Sequence, residues 1–113
     1  MGGMSTWEIG AMRPDLFAAI APVAGHHQDQ RRDAIASKLC NTPVLVVHSP
    51  IDETCPWSKE ENLWKLLKQD PFYNSNFEVI KADHVDHCSM FEHAYCHTTY
   101  LFEWLLIFER DDC

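Results

Sequence analysis

Basic residues are scarce in this sequence, which has nine Lys and Arg residues against 17 Asp and Glu residues and a formal net charge of −8. No cluster of Lys or Arg offsets that charge locally. A chain with this balance repels phosphate backbones and anionic lipid headgroups. We therefore expect neither nucleic acid nor a membrane surface among its partners.

Long apolar runs and paired cysteine motifs are also missing. No apolar stretch approaches the roughly 20 residues that a membrane-spanning helix requires, and the first residues form neither a basic leader nor a continuous apolar segment. The sequence thus predicts no membrane span and no targeting signal. The five cysteines are odd in number and lack the C-x-x-C spacing of zinc and redox sites. This usage indicates no disulfide framework and favours a reducing compartment such as the cytoplasm.

The sequence does have enough apolar residues, 46% of the chain, for one folded domain over residues 1–113. Helical and extended patterns alternate along it. The predicted helices cover residues 4–12, 58–69 and 89–110, and the predicted strands cover residues 17–25, 42–49 and 77–82. This alternation predicts an α/β fold of three layers, in which three parallel strands in chain order are flanked by helices.

Titratable residues follow the second and third predicted strands. Asp52 lies in the stretch HSPIDETCP, and His84 and His87 lie in the stretch ADHVDHCS. In open α/β sheets, functional residues collect at the carboxyl ends of the strands. An imidazole takes a serine proton at neutral pH only when a carboxylate fixes its tautomer. An Asp on one loop and a His on the next follow the order Ser, Asp, His of an α/β-hydrolase triad.

Several segments resemble the esterase and predicted-peptidase branch of the α/β-hydrolases. The opening stretch MGGMSTWEIGAMRPDLFAAIAPVAG is similar to the region after the nucleophile, which has the pattern G-x-S-M-G-G, a T-W pair and a P-D-x-F-A-A segment. The stretch PVLVVHSPIDETCP resembles the block P-v-x-v-x-H-G-x-x-D-x-x-x-P. HCSMFEHAY and YLFEWLL resemble the closing H-D-x-W-x-x-x-Y and Y-x-W-L-L motifs. The resemblance covers nearly the whole chain and implies the C-terminal part of one α/β-hydrolase domain, beginning just after the nucleophile.

The resemblance implies a serine hydrolase that cleaves small carboxylic esters, thioesters or amides through an acyl-enzyme. It assigns Asp52 as the acid and His87 as the base. It places Met1 and Gly2 at the nucleophile elbow, where the residue after the serine donates a backbone N–H to the oxyanion hole. The serine is absent from this stretch, so we expect the chain alone to be inactive. No cofactor and no metal are implied.

Two positions depart from the family pattern. Ser49 stands where the family has a glycine, directly before the turn that carries Asp52, residues 50–56, which we call the acid turn. This substitution puts in question the position that the Asp52 carboxylate takes. Two histidines, His84 and His87, compete for the role of base. His87 is favoured because its spacing to Tyr95 and to the W-L-L motif comes within a residue or two of the family's.

Other interpretations remain open. A truncated chain without the nucleophile would act as a non-catalytic interaction module, and the apolar outer edge of its first strand would favour self-association. His93 and His97 lie one helical turn apart, a spacing that can chelate zinc, but no third ligand is fixed, so exposed histidines are favoured. His26-His27 either faces substrate or lies in a surface loop. Cys88 is disfavoured as a thiol nucleophile activated by His87, because the side chains of adjacent residues rarely point at each other.

Overall fold

The computed structural model describes residues 2–71, 73, 76–96 and 99–109. The elements form one β–α–β unit, as expected for an α/β fold, with two α-helices before it and two after it. They are α1 (Gly2–Met12), α2 (Arg32–Lys38), β1 (Val44–His48), α3 (Trp57–Gln69), β2 (Phe77–Lys81), α4 (His87–Cys96) and α5 (Tyr100–Leu105). None of the helices in the described ranges is long and apolar enough to cross a membrane.

The sheet in the described part of the chain has two strands, β1 and β2. They pair in parallel, from Val44 opposite Phe77 to His48 opposite Lys81. Every residue of β1 is buried, as expected for a run of valine and leucine between two helical layers. The prediction of a third strand is wrong, although the two strands found pair in parallel as expected.

The predicted first strand, residues 17–25, is an irregular segment that lies beside β1. Its contacts with β1 are two isolated parallel bridges, Ile20 with Val44 and Val23 with Val47. The carbonyl of Ile20 accepts the N–H of Leu45, and the carbonyl of Pro22 accepts the N–H of Val47. A continuous ladder also needs a donor at Pro22 for the Leu45 carbonyl, and proline has no N–H. Pro22 therefore divides the expected strand.

Helices cover both faces of the sheet and complete three layers. Helices α1, α2 and α3 pack around Val44 and Val46, where the buried side chains include Trp7, Ile35, Leu63 and Leu67, together with Leu39 directly after α2. Helices α4 and α5 pack around Leu45 and Val47, with Met90, Ala94, Leu101 and Trp104. Neighbouring residues of β1 serve opposite faces because side chains alternate along a strand.

The predicted C-terminal helix over residues 89–110 is wrong as a single element, because α4 ends at Cys96 and α5 begins at Tyr100. Residues 97, 98 and 110 lie outside the described residues. Thr99, which is described and precedes α5, lies outside both helices, and β-branched residues are weak helix formers. The apolar period continues across the break because Ala94 and Leu101 enter the same core.

Candidate active site

The turn after β1 presents a buried carboxylate. Asp52 is 5% exposed, and its Oδ1 accepts hydrogen bonds from the N–H groups of Thr54 at 2.9 Å and Cys55 at 2.7 Å. Ser49 closes the turn, since its hydroxyl accepts the Ile51 N–H and its carbonyl accepts the Asp52 N–H, both at 3.2 Å. Ser49, which stands where the α/β-hydrolase pattern has a glycine, therefore helps to hold the turn that follows it. Oδ2 of Asp52 is left for a further partner.

That partner is His87, whose Nδ1 lies 2.8 Å from Oδ2 of Asp52. Because a carboxylate accepts hydrogen bonds, the proton of this bond lies on Nδ1, and Nε2 is the nitrogen able to accept a proton. His87 is the first residue of α4. The side chain of Asp86, one residue earlier, accepts the N–H of Ser89 at 2.9 Å, which is the geometry of a helix N-cap.

Asp86 is exposed, and its side chain caps the helix that carries His87. Its hydrogen bonds from the backbone and side chain of Ser89, and the nearby His87, lower the pKa of Asp86. The second candidate histidine, His84, is exposed in the turn between β2 and α4. The geometry therefore favours His87 over His84 as the histidine that pairs with Asp52.

A cavity of about 190 Å³ opens beside His87. It is also lined by Gly2, Gly3, Val23, Ala24, Met90, Phe91 and Tyr95. Gly2 is thus at the cavity, while Met1, the other predicted elbow residue, lies outside the described residues. Ala24 has a φ of 50°, a left-handed conformation that costs a residue with a Cβ roughly 1–2 kcal/mol. Strain of this kind is concentrated at functional sites.

The two glycines of α1 have different surroundings. A Cβ on Gly3 would lie 2.4 Å from Cα of Gly25 and 2.5 Å from the carbonyl oxygen of Val23, whereas a Cβ on Gly2 would meet no atom within 4 Å. Gly3 therefore allows the start of α1 to pack directly on the backbone of residues 23–25. This contact places the start of α1 at the cavity beside His87.

Two buried residues next to the acid turn were not anticipated from the sequence. Nδ1 of His48 lies 2.5 Å from Oε1 of Glu60, and Nε2 of His48 lies 2.7 Å from the carbonyl oxygen of Cys55. Both side chains are fully buried. The available signal was a histidine that ends an otherwise apolar strand, together with a glutamate within the first turn of a helix that packs on the same sheet.

The remaining histidines do not join this site through any described contact. His27 is 2% exposed rather than part of a plain surface loop, and its Nε2 accepts a hydrogen bond from Nε of Arg32 at 2.9 Å. Burial and the charge of Arg32 lower the pKa of His27. His93 is half-buried on α4, and His97 lies outside the described residues. Among the residues that the structure describes, no group of three His, Cys, Asp or Glu side chains could hold a metal ion.

Comparison with known proteins finds relatives in structure only. No protein-family model and no curated protein sequence matches this chain. A thermostable esterase superposes on 96% of the chain with a TM-score of 0.67 and 22% sequence identity. The esterase domain of a Rhodothermus marinus protein superposes on 95% of the chain with a TM-score of 0.69 and 15% identity. The chain spans 29% and 57% of these two structures, respectively.

These similarities establish the fold. The chain has the architecture of part of an esterase domain, which confirms the resemblance to the α/β-hydrolases at the level of the fold. At these identities, fold alone does not assign chemistry, which has to be argued from the site.

Proposed function

We propose that this chain supplies the acid and the base of a Ser–His–Asp hydrolase acting on carboxylic esters, or on the thioesters and amides that react by the same steps. The observation that carries the proposal is the 2.8 Å contact between Nδ1 of His87 and Oδ2 of Asp52. Two backbone N–H groups fix the other oxygen of that carboxylate. The likeness in fold to two esterases supports the same reaction class.

In the proposed mechanism, Nε2 of His87 takes the proton of a serine hydroxyl while the serine oxygen attacks the ester carbonyl carbon. The proton then passes from Nε2 to the leaving alcohol as its C–O bond breaks, and an acyl-serine remains. Water, deprotonated by Nε2, attacks the acyl-serine, and the proton returns to the serine as the carboxylic acid leaves. Asp52 holds the Nδ1–H tautomer throughout and stabilises the imidazolium.

The serine in this proposal precedes Met1 in a longer protein. The supporting geometry is the position of Gly2 and Gly3, which begin α1 beside the cavity that His87 lines. A helix starting at that place suits the elbow arrangement, in which the nucleophile stands at a sharp turn between a strand and a helix. The cavity between α1 and His87 would receive the small ester substrate.

The test compares this chain with the longer protein encoded together with the sequence upstream of Met1. A fluorophosphonate probe labels a serine that a histidine activates, and p-nitrophenyl esters report turnover. We expect labelling and turnover in the longer protein and neither in this chain alone. His87→Ala should lower kcat on the order of a thousandfold or more, by analogy with other triads. The matched variant His84→Ala should keep most of the activity, because His84 is exposed in the turn before α4.

A larger loss in His84→Ala than in His87→Ala would move the base to His84. An upstream sequence without an in-frame G-x-S, together with no labelling, would contradict the proposal and favour a non-catalytic interaction module. Ester hydrolysis by this chain alone that disappears in Asp52→Ala and His87→Ala would show that its nucleophile lies within residues 1–113.

A further inference from the structure

Buried hydrogen bonds lead from α1 to the acid turn through side chains that the proposed chemistry does not use. Nε1 of Trp7 donates to Oε2 of Glu60 at 2.7 Å. Oε1 of Glu60 lies 2.5 Å from Nδ1 of His48, and Nε2 of His48 lies 2.7 Å from the Cys55 carbonyl oxygen. Trp7, Glu60 and His48 are each 0% exposed. Side chains from α1, α3 and β1 thus converge on one carbonyl group of the turn.

The donors and acceptors in these contacts determine where protons lie on His48 and Glu60, and they leave one proton shared in the contact between the two side chains. A carbonyl oxygen only accepts, so Nε2 of His48 carries a proton, and the Trp7 indole only donates, so Oε2 of Glu60 accepts. The contact between Oε1 and Nδ1 then holds one further proton on either atom. Burial raises the pKa of Glu60. Burial alone would lower the pKa of His48, but the hydrogen bond and charge of Glu60 outweigh it and raise that pKa. The pair is therefore neutral overall, and its polar atoms are satisfied, as buried groups require.

Apart from the two hydrogen bonds that Ser49 accepts, from the N–H groups of Ile51 and Asp52, the acid turn has few other contacts to hold it. In the stretch from Pro50 to Pro56, all residues except Asp52 and Cys55 are exposed. Cys55 is held from both sides, because its N–H donates to Oδ1 of Asp52 and its carbonyl accepts the Nε2–H of His48. Nε2 of His48 is 3.5 Å from Oδ2 of Asp52, too long for a strong hydrogen bond. The restraint that His48 exerts on Asp52 therefore passes through the backbone of Cys55.

Resting on the proposed function, we propose that His48 and Glu60 are positioning residues: they anchor the acid turn to the sheet through the Cys55 carbonyl and so keep Asp52 in reach of His87. Neither side chain touches the reacting atoms. The indole of Trp7 supports them by fixing the second oxygen of Glu60.

The experiment measures the ring nitrogens of ¹⁵N-histidine-labelled chain by long-range ¹H–¹⁵N correlation, which reports the tautomer of each histidine. Glu60→Met removes both hydrogen bonds of the carboxylate at similar side-chain length. Glu60→Gln keeps both, because its amide donates to Nδ1 of His48 while its oxygen accepts from Trp7. Glu61→Met is the matched control, since Glu61 lies on the same helix turn and bonds Trp57 instead.

We expect His87 to keep its Nδ1–H form in the wild type, Glu60→Gln and Glu61→Met, and to become a mixture of tautomers in Glu60→Met. Amide exchange at Cys55 should also accelerate in Glu60→Met, on the order of tenfold for one lost buried hydrogen bond. Loss of the Nδ1–H form of His87 in Glu60→Gln, or a loss in Glu61→Met as large as that in Glu60→Met, would overturn the proposal. A merely structural role for Glu60 would lower stability without changing the His87 tautomer.

A second variant covers the case in which Glu60→Met fails to fold. The double variant His48→Phe/Glu60→Met replaces both buried partners by apolar groups, a change that folded proteins tolerate better than leaving one partner alone. If it folds and His87 keeps its Nδ1–H signal, the proposal is wrong.

The wild type supplies a test that needs no variant. A bare Nε2 on His48 would overturn the assigned contact with Cys55 and with it the anchoring role. A wild-type His87 without a proton on Nδ1 would instead refute the proposed function, so the two failures are distinguishable.

Discussion

Replacing Gly3 by alanine should destabilise the protein, whereas the same change at Gly2 should not. A Cβ on Gly3 would lie 2.4 to 2.6 Å from three backbone atoms of residues 23 and 25, so α1 or the loop has to move by about 1 Å to restore normal van der Waals contact. Overpacking of this kind costs about 1–3 kcal/mol, and the upper value applies here because backbone atoms cannot rotate away. Alanine regains up to about 1 kcal/mol over glycine within a helix. The expected net loss is about 2 kcal/mol.

The assay is urea-induced unfolding followed by tryptophan fluorescence and circular dichroism, on Gly2→Ala and Gly3→Ala in parallel. Gly2→Ala should change stability by no more than about 0.5 kcal/mol, since its Cβ enters open space at the first residue of α1. In thermal unfolding, Gly3→Ala should lower Tm by roughly 8 °C for a domain of this size. Equal stability of the two variants would refute the close packing of α1 on residues 23–25.

Three further predictions concern the helix that carries His87, the buried pair and the open edge. Asp86→Ala should lower the free energy of unfolding by about 1 kcal/mol, because the Ser89 N–H loses its acceptor. Asp86→Asn should retain most of the wild-type stability, because its side-chain oxygen can still accept that N–H. Since the folded-state pKa of His48 is raised above its ordinary value of 6.5, the stability that Glu60 confers relative to Glu60→Gln should be fully present below pH 6.5 and decline as the pH rises above it. An advantage that grows as the pH rises above 6.5 would contradict this sign, and titrating groups outside the His48–Glu60 pair cancel in the comparison. Every second residue of 19–23 directs its backbone N–H and C=O away from β1, and this edge lies beside a groove of about 470 Å³. An open edge of this kind favours self-association, so light scattering during size-exclusion chromatography should detect species larger than the monomer. A clean monomer with a cooperative melt would show that the edge is closed.

The elements that the sequence predicts well are those whose pattern is local. The run of valine and leucine before His48 forms the buried strand β1, and α3 and β2 lie within a residue or two of their predicted bounds. Asp52 and His87 could be placed on one edge of the sheet, because the carboxyl ends of parallel strands lie together.

The features that the sequence did not predict depend on contacts between distant residues or on one missing donor. The interruption of the predicted strand over residues 17–25 could have been inferred from Pro22, since a proline inside a strand removes a ladder hydrogen bond. The break between α4 and α5 does not show in the apolar pattern, because both helices bury apolar residues in one core. The contact of Glu60 with His48 and Trp7 joins residues up to 53 positions apart, and no local pattern encodes it.

The hydrogen bond between His87 and Asp52 is the contact on which the assigned acid and base depend most, and the tautomer of His87 in this chain tests it directly. The ¹⁵N spectrum of the wild type should show a proton on Nδ1 and a free Nε2. In Asp52→Asn, the side-chain amide can donate to Nδ1, so the proton should move to Nε2, the form unable to accept a serine proton. A wild-type His87 with its proton on Nε2, or a spectrum that Asp52→Asn leaves unchanged, would contradict the assignment of Asp52 and His87 as the acid and base.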